Sequence, residues 1–374
     1  MKEHTLNIVK NIFELKYNEK FLILSEKYSE KSDVNEKDKI RWKNLNEFTK
    51  KLYNEIKNLH NNTILLEYNS TLGHGKEPEL KVWENVFGEN FIEFLNKESL
   101  TTKILNKQLN EDEKQNIENF IKINPPKYQA IMALTNYSTS HTFFRKLFTQ
   151  YGKGRYASMP LFDPEMFNSS MKANIDELAD FTTKLANYAS QFTKFHIVSE
   201  NGTDLVIVRG ERKLIPDTGK LNKPGSFGNL PAGEAFVAPV EGESYGVLVI
   251  EYAPTRKLKS PLKLIIKNGV LVDIEGNEEY SNELKSKISE HPNNKFVAEL
   301  GIGTNKYAKM LDNILESEKI YGTVHIAFGD NHAFGGKNQA PFHEDYLVLN
   351  PTVYGINENG DKKILLKDKV FYLE

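Results

Sequence analysis

Three of the nine histidines, His325, His332 and His343, lie within 19 residues of one another in the last quarter of the chain. An even spread of histidines would rarely place three so close together. His325 belongs to the alternating run Tyr321–Phe328, which predicts a strand with apolar side chains on one face and His325 on the other. Because imidazole nitrogen is a common metal ligand, the cluster points to metal chemistry.

A second alternating run, Phe342–Val348, is also predicted to be a strand. It places His343 and Asp345 on one face, about 6.5–7 Å apart along the strand. That spacing suits ligands that converge on one metal ion or on two neighbouring ions. The glycine-rich segment between the two strands, Gly329–Gly336, is predicted to be a loop that turns tightly beside polar groups.

Two carboxylates stand alone in apolar segments. Glu234 is the one charged residue of Asn229–Pro239, and Glu299 is the one charged residue of Phe296–Ile302. A buried carboxylate is costly unless a cation or hydrogen-bond donors lie nearby. A salt bridge for each glutamate and ordinary hydrogen bonds for each histidine are the alternatives. Nitrogen and oxygen ligands without thiolates suit Zn²⁺, Co²⁺, Mn²⁺ or Fe²⁺.

The first half of the chain alternates between apolar strands and longer helical segments. Helices are predicted from about residue 38 to 59 and from 78 to 98. The predicted strands are Glu19–Ser25, Asn62–Tyr68 and Gln129–Thr135. This alternation favours a three-layer α/β domain with a mostly parallel sheet, assigned to residues 1–190.

The second half, residues 191–374, is predicted to be a β-rich α+β domain that carries the metal site. Asn201-Gly202 and Asn268-Gly269 each separate two short apolar runs, and Asn-Gly supplies the positive φ angles of a tight hairpin. Asn359-Gly360 precedes the last strand in the same way. One helix is expected near Tyr307–Leu315.

Composition excludes several classes of protein. The 374 residues carry a formal net charge of −2, which argues against a nucleic-acid partner. No apolar run approaches the length of a membrane helix, and the charged first 30 residues do not resemble a signal peptide. Without cysteine there is no disulfide, thiolate metal site or cysteine nucleophile. A cytoplasmic protein without a membrane partner is therefore expected.

An ordered set of motifs across residues 120–350 resembles the aminopeptidase T family of metallopeptidases, and most of all its leucyl aminopeptidase branch. The upstream motifs are Thr135–Thr142 with Arg145, and Tyr156–Pro160. The downstream motifs are Asp217–Gly219, Asn229–Pro239, Ala298–Gly301, Gly322–Gly329 and Phe342–Asp345. The resemblance implies a two-metal aminopeptidase that releases hydrophobic, leucine-like residues from the N-terminus of a peptide substrate.

The resemblance also implies roles for individual residues. Two divalent ions (Zn²⁺, Co²⁺ or Mn²⁺) would be held by a set of six side chains: Glu234, Glu299, His325, His332, His343 and Asp345. Glu299 would also move the proton of the attacking water, and a homodimer is expected. His332 stands where the family has a tyrosine, and its imidazole would serve as a ligand or as the donor that stabilises the oxyanion.

The same motifs are similar to 2,5-dihydroxypyridine 5,6-dioxygenases, which hold one Fe²⁺ with histidines and an aspartate. The Gly329–Gly336 loop and the pair of His343 and Asp345 are compatible with both families. A catalytically inactive homologue that binds peptides is the third alternative. Metal count and oxygen dependence separate the first two, and the third predicts no tightly bound metal.

Overall fold

The computed structural model describes residues 2–254, 256–311 and 313–374. Within them the chain forms two compact units, residues 1–175 with 219–231, and residues 176–218 with 232–374. The α-helices, in chain order, are α1 (Lys2–Asn7), α2 (Glu36–Leu59), α3 (Leu80–Phe87), α4 (Glu89–Lys97), α5 (Thr101–Leu105), α6 (Glu111–Ile123), α7 (Phe143–Lys146), α8 (Ile175–Ala189), α9 (Tyr280–Ser289) and α10 (Ile314–Ser317).

Short π-helical and 3₁₀-helical segments accompany these helices, and eighteen strands are defined within the described residues. The strands are β1 (Phe21–Lys27), β2 (Thr63–Asn69), β3 (Ala130–Thr135), β4 (Arg155–Pro160), β5 (Lys194–Val198), β6 (Asp204–Val208), β7 (Ile215–Asp217), β8 (Phe227–Asn229), β9 (Glu234–Val237), β10 (Tyr245–Ala253), β11 (Arg256–Lys267), β12 (Val270–Glu275), β13 (Val297–Gly303), β14 (Val324–Gly329), β15 (His343–Val348), β16 (Thr352–Ile356), β17 (Lys362–Lys367) and β18 (Val370–Phe371).

The first unit is built on a five-stranded sheet in the order β2-β1-β3-β4-β8, in which every pair of neighbours is parallel. Its central strand β3 is buried along its whole length, as strands covered by helices on both faces are. Helix α2 begins at an Asn35 cap, whose side chain accepts a hydrogen bond from the Asp38 backbone. It buries an apolar stripe that includes Trp42 and Leu52. The predicted α/β class is confirmed.

The second unit contains two antiparallel sheets. One has the order β12-β11-β10-β6-β5-β16-β17-β18, and the other has the order β15-β14-β13-β9-β7. Side chains from both sheets join one hydrophobic core, for example Leu264 on β11 and Ile326 on β14. The hairpins predicted at Asn201-Gly202 and Asn268-Gly269 connect β5 to β6 and β11 to β12. The β-rich character of this half is therefore confirmed.

The predicted domain boundary after residue 190 differs from the division between the two compact units. The division after residue 190 assigns α8 to the first domain, whereas residues 176–189 belong to the second unit, and residues 219–231 return to the first to supply β8. Because the chain leaves the first unit and returns to it, one domain boundary cannot describe the division.

None of the helices in the described residues combines the length and the hydropathy that a membrane span needs.

A helix does form near Tyr307–Leu315, but it is shorter and begins later, as α10 (Ile314–Ser317). The described residues before α10 form a turn and a loop, and Asp312 lies outside the described residues. The backbone N–H of Lys309 donates to the Glu316 side chain at 3.1 Å, and that of Leu311 donates to Ser317 Oγ at 3.2 Å. Because side chains of α10 take these donors, the segment needs no helical carbonyls to satisfy them.

Candidate metal centre

The sheet β15-β14-β13-β9-β7 positions most of the candidate ligands. Glu234 begins β9, Glu299 lies on β13, His325 lies on β14, and β15 carries both His343 and Asp345. Residues on neighbouring antiparallel strands lie directly opposite one another, so a short stretch of each strand is enough to gather these side chains. Five residues separated by up to 111 positions therefore meet on one face of the sheet.

The pleat of β14 separates the site from the core, as its sequence predicts. Val324, Ile326 and Phe328 pack into the hydrophobic core, whereas His325 points to the opposite face and is 1% exposed. Gly301 lies opposite His325 on β13. The imidazole fills the space that a side chain at Gly301 would occupy. The glycine thus makes room for the histidine.

Strand β15 is held in its orientation by the residues on its other face. Glu344 accepts hydrogen bonds from the hydroxyls of Tyr280 and Tyr346, the second at 2.7 Å, and pairs with Lys287 at 2.8 Å. Because side chains alternate along a strand, the two neighbours of Glu344 point to the opposite face, toward the site. The predicted common face of His343 and Asp345 is confirmed, with 3.7 Å between Nε2 and Oδ2.

Glu299 lies between the two imidazoles. Its Oε1 is 3.4 Å from His325 Nε2, and its Oε2 is 3.5 Å from His343 Nε2. On the other side of His325, Glu234 Oε2 is 3.1 Å from the same Nε2. The Glu299 carboxylate thus links the side chains of β9, β13, β14 and β15 into one continuous cluster.

Three overlapping groups in this cluster could hold a metal ion, because the ligand atoms of each group lie within 4.8 Å of one another. We refer to them by one member each. They are the Glu234 group (Glu234, Glu299, His325), the His343 group (Glu299, His343, Asp345) and the Glu318 group (Glu318, His325, Asp345). Each combines imidazole nitrogen with carboxylate oxygen, a set that suits divalent transition metals.

Unused ligand atoms inside the cluster fit a metal. His325 Nδ1 and Asp345 Oδ1 are buried and have no hydrogen-bond partner. Buried polar atoms are normally satisfied, so such a concentration of unsatisfied ones calls for an explanation such as an ion. His343 Nδ1 donates to the carbonyl oxygen of Asp330 at 2.7 Å, which leaves Nε2 as the ligand atom. The side chains present therefore fit a divalent ion.

Neighbouring positive charge stabilises the charged form of two buried carboxylates of the cluster. Burial opposes the charged form of Glu234, but the Lys319 ammonium and then His325 outweigh it and lower the pKa of Glu234 to about 2. Burial is likewise overcome at Asp345, where His343 lowers the pKa to about 2. The pKa of His343 rises to about 10 because, against burial, Asp345 and then Glu299 favour its charged form. A divalent ion bound by neutral imidazoles supplies the same compensation.

Two functional candidates were not found from the sequence. Lys319 and Glu318 are buried within the cluster, and Lys319 Nζ donates to Glu318 Oε1 at 2.6 Å. Burial raises the pKa of Glu318 to about 8, although Lys319 acts against it. In the sequence the two residues follow Glu316 in a short run rich in charge, which is typical of a solvated surface. No local signal distinguishes this run from an exposed one.

His332 is the predicted site residue that the structure does not bring into the cluster. It begins a short 3₁₀ turn, His332–Phe334, its side chain is exposed, and it belongs to none of the metal-binding groups formed by the described residues. Its backbone N–H donates to the Asp330 side chain. The role expected of His332 as a ligand or oxyanion donor stays a prediction, and its side chain lies outside the three metal-binding groups.

Comparisons with known proteins bear on this site. Residues 170–357 match the sequence profile of the NicX family, 2,5-dihydroxypyridine 5,6-dioxygenase. The matched segment contains every residue of the three metal-binding groups. No curated protein is significantly similar to the chain in sequence.

Two solved structures resemble the whole chain. The 2,5-dihydroxypyridine dioxygenase from Pseudomonas putida KT2440 superposes with a TM-score of 0.68 and 16% identity, over 99% of this chain and 95% of that one. Wild-type AmpT from Thermus thermophilus superposes with a TM-score of 0.56 and 13% identity, over 99% and 98% of the two chains. At these identities the likeness establishes a shared fold.

Proposed function

The chain belongs to the 2,5-dihydroxypyridine 5,6-dioxygenase family, and from this premise we propose that it is an Fe²⁺-dependent dioxygenase that opens an electron-rich hydroxylated aromatic ring. The reaction inserts both atoms of O₂ into the product as a ring carbon–carbon bond breaks. It needs no external reductant, because the ring supplies the electrons. The profile match and the structural likeness to the Pseudomonas putida enzyme favour this reaction over peptide hydrolysis.

One observation carries the proposal. Asp345 shares a metal-binding group with each of the two histidines, with His343 in the His343 group and with His325 in the Glu318 group. Two histidines and one carboxylate are the ligand set of mononuclear non-haem iron oxygenases. When bound in such a set, Fe²⁺ keeps positions open for O₂ and for the oxygens of a ring diol.

The protein's own side chains orient the ligands and handle protons. The hydrogen bond from His343 Nδ1 to the Asp330 carbonyl fixes the tautomer and the plane of that ring. Glu299 lies against both imidazoles, and burial raises its pKa. A carboxylate of raised pKa that lies against both imidazoles would be suited to take the proton of a ring hydroxyl as the substrate binds. Glu234 then supports His325 from its far side.

The experiment is an oxygen-isotope assay. Protein stripped with chelator is reloaded with Fe²⁺ without air and given 2,5-dihydroxypyridine and ¹⁸O₂. The expected result is loss of the ring absorbance and a product that contains two ¹⁸O atoms by mass spectrometry. A fully loaded protein that leaves this substrate and related hydroxypyridines and catechols unchanged would refute the proposal.

Metal-dependent aminopeptidase activity is the second candidate, and one feature of the site favours it. Glu299 belongs to two metal-binding groups at once, as a carboxylate that bridges two ions would. The matching assay uses protein reloaded with Zn²⁺, Co²⁺ or Mn²⁺ and a leucyl chromogenic amide. Hydrolysis that is restored by metal and unaffected by removing O₂ would replace the dioxygenase proposal. A peptide substrate and a homodimer remain predictions of this alternative.

A further inference from the structure

Lys319 is a buried cation inside the cluster of ligands. Its side chain is 0% exposed, and its Nζ donates to Glu234 Oε1 at 2.5 Å and to Glu318 Oε1 at 2.6 Å. A lysine is almost never fully buried unless it is paired, and here it is paired twice. The ammonium therefore lies between a carboxylate of the Glu234 group and a carboxylate of the Glu318 group.

The backbone fixes Lys319 in this place. Its carbonyl oxygen accepts a hydrogen bond from the Asn305 backbone N–H at 2.9 Å, and the Asn305 side chain donates to the carbonyl of Ala232 at 2.9 Å. Ala232 lies two residues before Glu234 on the chain. Asn305 thus ties the segment that carries the ammonium to the segment that carries its acceptor.

The lysine distinguishes among the three metal-binding groups. Its Nζ is bonded to a carboxylate of the Glu234 group and to a carboxylate of the Glu318 group. The remaining group, formed by Glu299, His343 and Asp345, has no ion pair with Lys319 among the described residues. Asp345, the carboxylate that the proposed ion shares with His325 and His343, is therefore not paired with the lysine.

We propose that the Lys319 ammonium limits the site to one divalent ion by taking the place of a second one. Its hydrogen bonds to Glu234 and Glu318 withhold the oxygens that a second ion would need. A second ion would also lie within a few ångströms of the ammonium. The two positive charges would repel each other strongly, because buried charges are poorly screened. The inference rests on the proposed metal site, and it makes that site mononuclear, as the dioxygenase requires.

The experiment counts bound Mn²⁺ per chain. Wild-type protein, Lys319→Met and Lys319→Arg are equilibrated with excess Mn²⁺ alone, and the bound metal is measured by dialysis and elemental analysis. Electron paramagnetic resonance then shows whether two ions are coupled. We expect one ion in the wild type and in Lys319→Arg, which keeps the charge. We expect two coupled ions in Lys319→Met.

Two further variants guard the result. Lys287→Met removes a lysine that pairs with Glu344 on the other face of β15, and it should still bind one ion. Lys319→Met combined with Glu318→Gln removes the lysine together with one of its two carboxylate partners, so that only one buried carboxylate loses its cation. Its Glu234 and Glu299 carboxylates remain to bind metal, and we expect a second ion there.

The outcomes separate this inference from the proposed reaction. Two ions in the wild type, or one ion in the folded variants that lack Lys319, would overturn it. If neither variant folds, the wild-type count decides alone, with one uncoupled ion supporting the inference and two ions overturning it. One ion per wild-type chain without dioxygenase turnover would refute the reaction and leave the role of Lys319 in place.

Discussion

Gly301 and His325 face each other across β13 and β14, and the imidazole occupies the volume that a side chain at Gly301 would take. The φ angle of Gly301 is not positive in the structure, so the backbone does not itself require glycine there. The requirement comes from the close approach of the ring. The position of the histidine therefore depends on the absence of a single methyl group.

Replacing this glycine is predicted to weaken metal binding. Gly301→Ala places a methyl group against His325 and moves the ring away from Glu234 and Glu299. Displacing a ligand in this way should raise the metal Kd by roughly 10- to 100-fold, the range seen when the support of a ligand is removed. Isothermal titration with Mn²⁺ measures the change.

The control is the neighbouring residue of the same strand. Ile302 packs in the core on the opposite face of β13. Ile302→Val should therefore lower the free energy of unfolding by about 1 kcal/mol and leave the metal Kd unchanged. An unchanged Kd in Gly301→Ala would show that His325 is not a ligand.

Asp345 is predicted to be indispensable for the ion. Asp345→Asn keeps the shape of the side chain but removes a charge that two of the metal-binding groups share. We expect the metal Kd to rise by more than about 100-fold, beyond the effect of losing an outer contact. The stabilisation by metal should vanish with it, which at 100 times the Kd is about 3 kcal/mol in the wild type. Thermal unfolding with and without Mn²⁺ tests this.

Glu344 provides a matched control for that substitution. It is adjacent to Asp345 on β15, but its carboxylate bonds to two tyrosines and Lys287 on the other face. Glu344→Gln should lower the midpoint of unfolding equally with and without Mn²⁺. Equal losses of metal stabilisation in the two variants would mean that Asp345 acts only through the fold.

The sequence was sufficient to predict the faces of β14 and β15. Strict alternation in a half-buried strand leaves one choice of face, because a shift by one residue would bury the polar side chains. Glu234 and Glu299 were identifiable because each is a lone charge in an apolar segment. These signals are local, and the structure brings those residues together.

The residues that sequence reasoning missed depend on contacts far along the chain. Lys319 is bonded to Glu234, which is 85 residues away, and nothing in its own neighbourhood indicates burial. His332 is the opposite case. It is close to His325 and His343 along the chain, but it lies in a loop and its side chain is outside the cluster. In a glycine-rich loop, proximity in sequence does not fix the direction of a side chain.

The exposed position of His332 leads to a prediction against the role expected from family resemblance. His332→Ala removes only an exposed ring, while the backbone N–H that donates to Asp330 remains. The free energy of unfolding should change by less than about 0.5 kcal/mol, and the metal Kd and count should stay the same. His343→Ala serves as the positive control in the same titration. A loss of metal in His332→Ala would return this residue to the site.

Glu77 in the first unit is predicted to make folding stability fall as pH rises. It is buried and accepts hydrogen bonds from the backbone N–H groups of Phe143 and Phe144, at 2.6 and 3.1 Å. Burial outweighs these bonds and raises the pKa of Glu77 from 4.5 to about 7. The folded protein therefore binds the proton more tightly than the unfolded chain does. The stability that this proton contributes is complete below pH 4.5 and is lost as pH rises through 7.

The Glu77→Gln variant isolates this effect because glutamine does not titrate. Relative to the variant, the free energy of unfolding of the wild type should fall by about 3 kcal/mol between pH 4.5 and pH 8. Urea unfolding of both proteins across this range, in the presence of chelator to silence the metal site, measures the difference. Glu79→Gln is a fair control, since Glu79 bonds to Asn69 at the surface. Parallel pH profiles for the wild type and Glu77→Gln would show that Glu77 is ionised in the folded protein throughout.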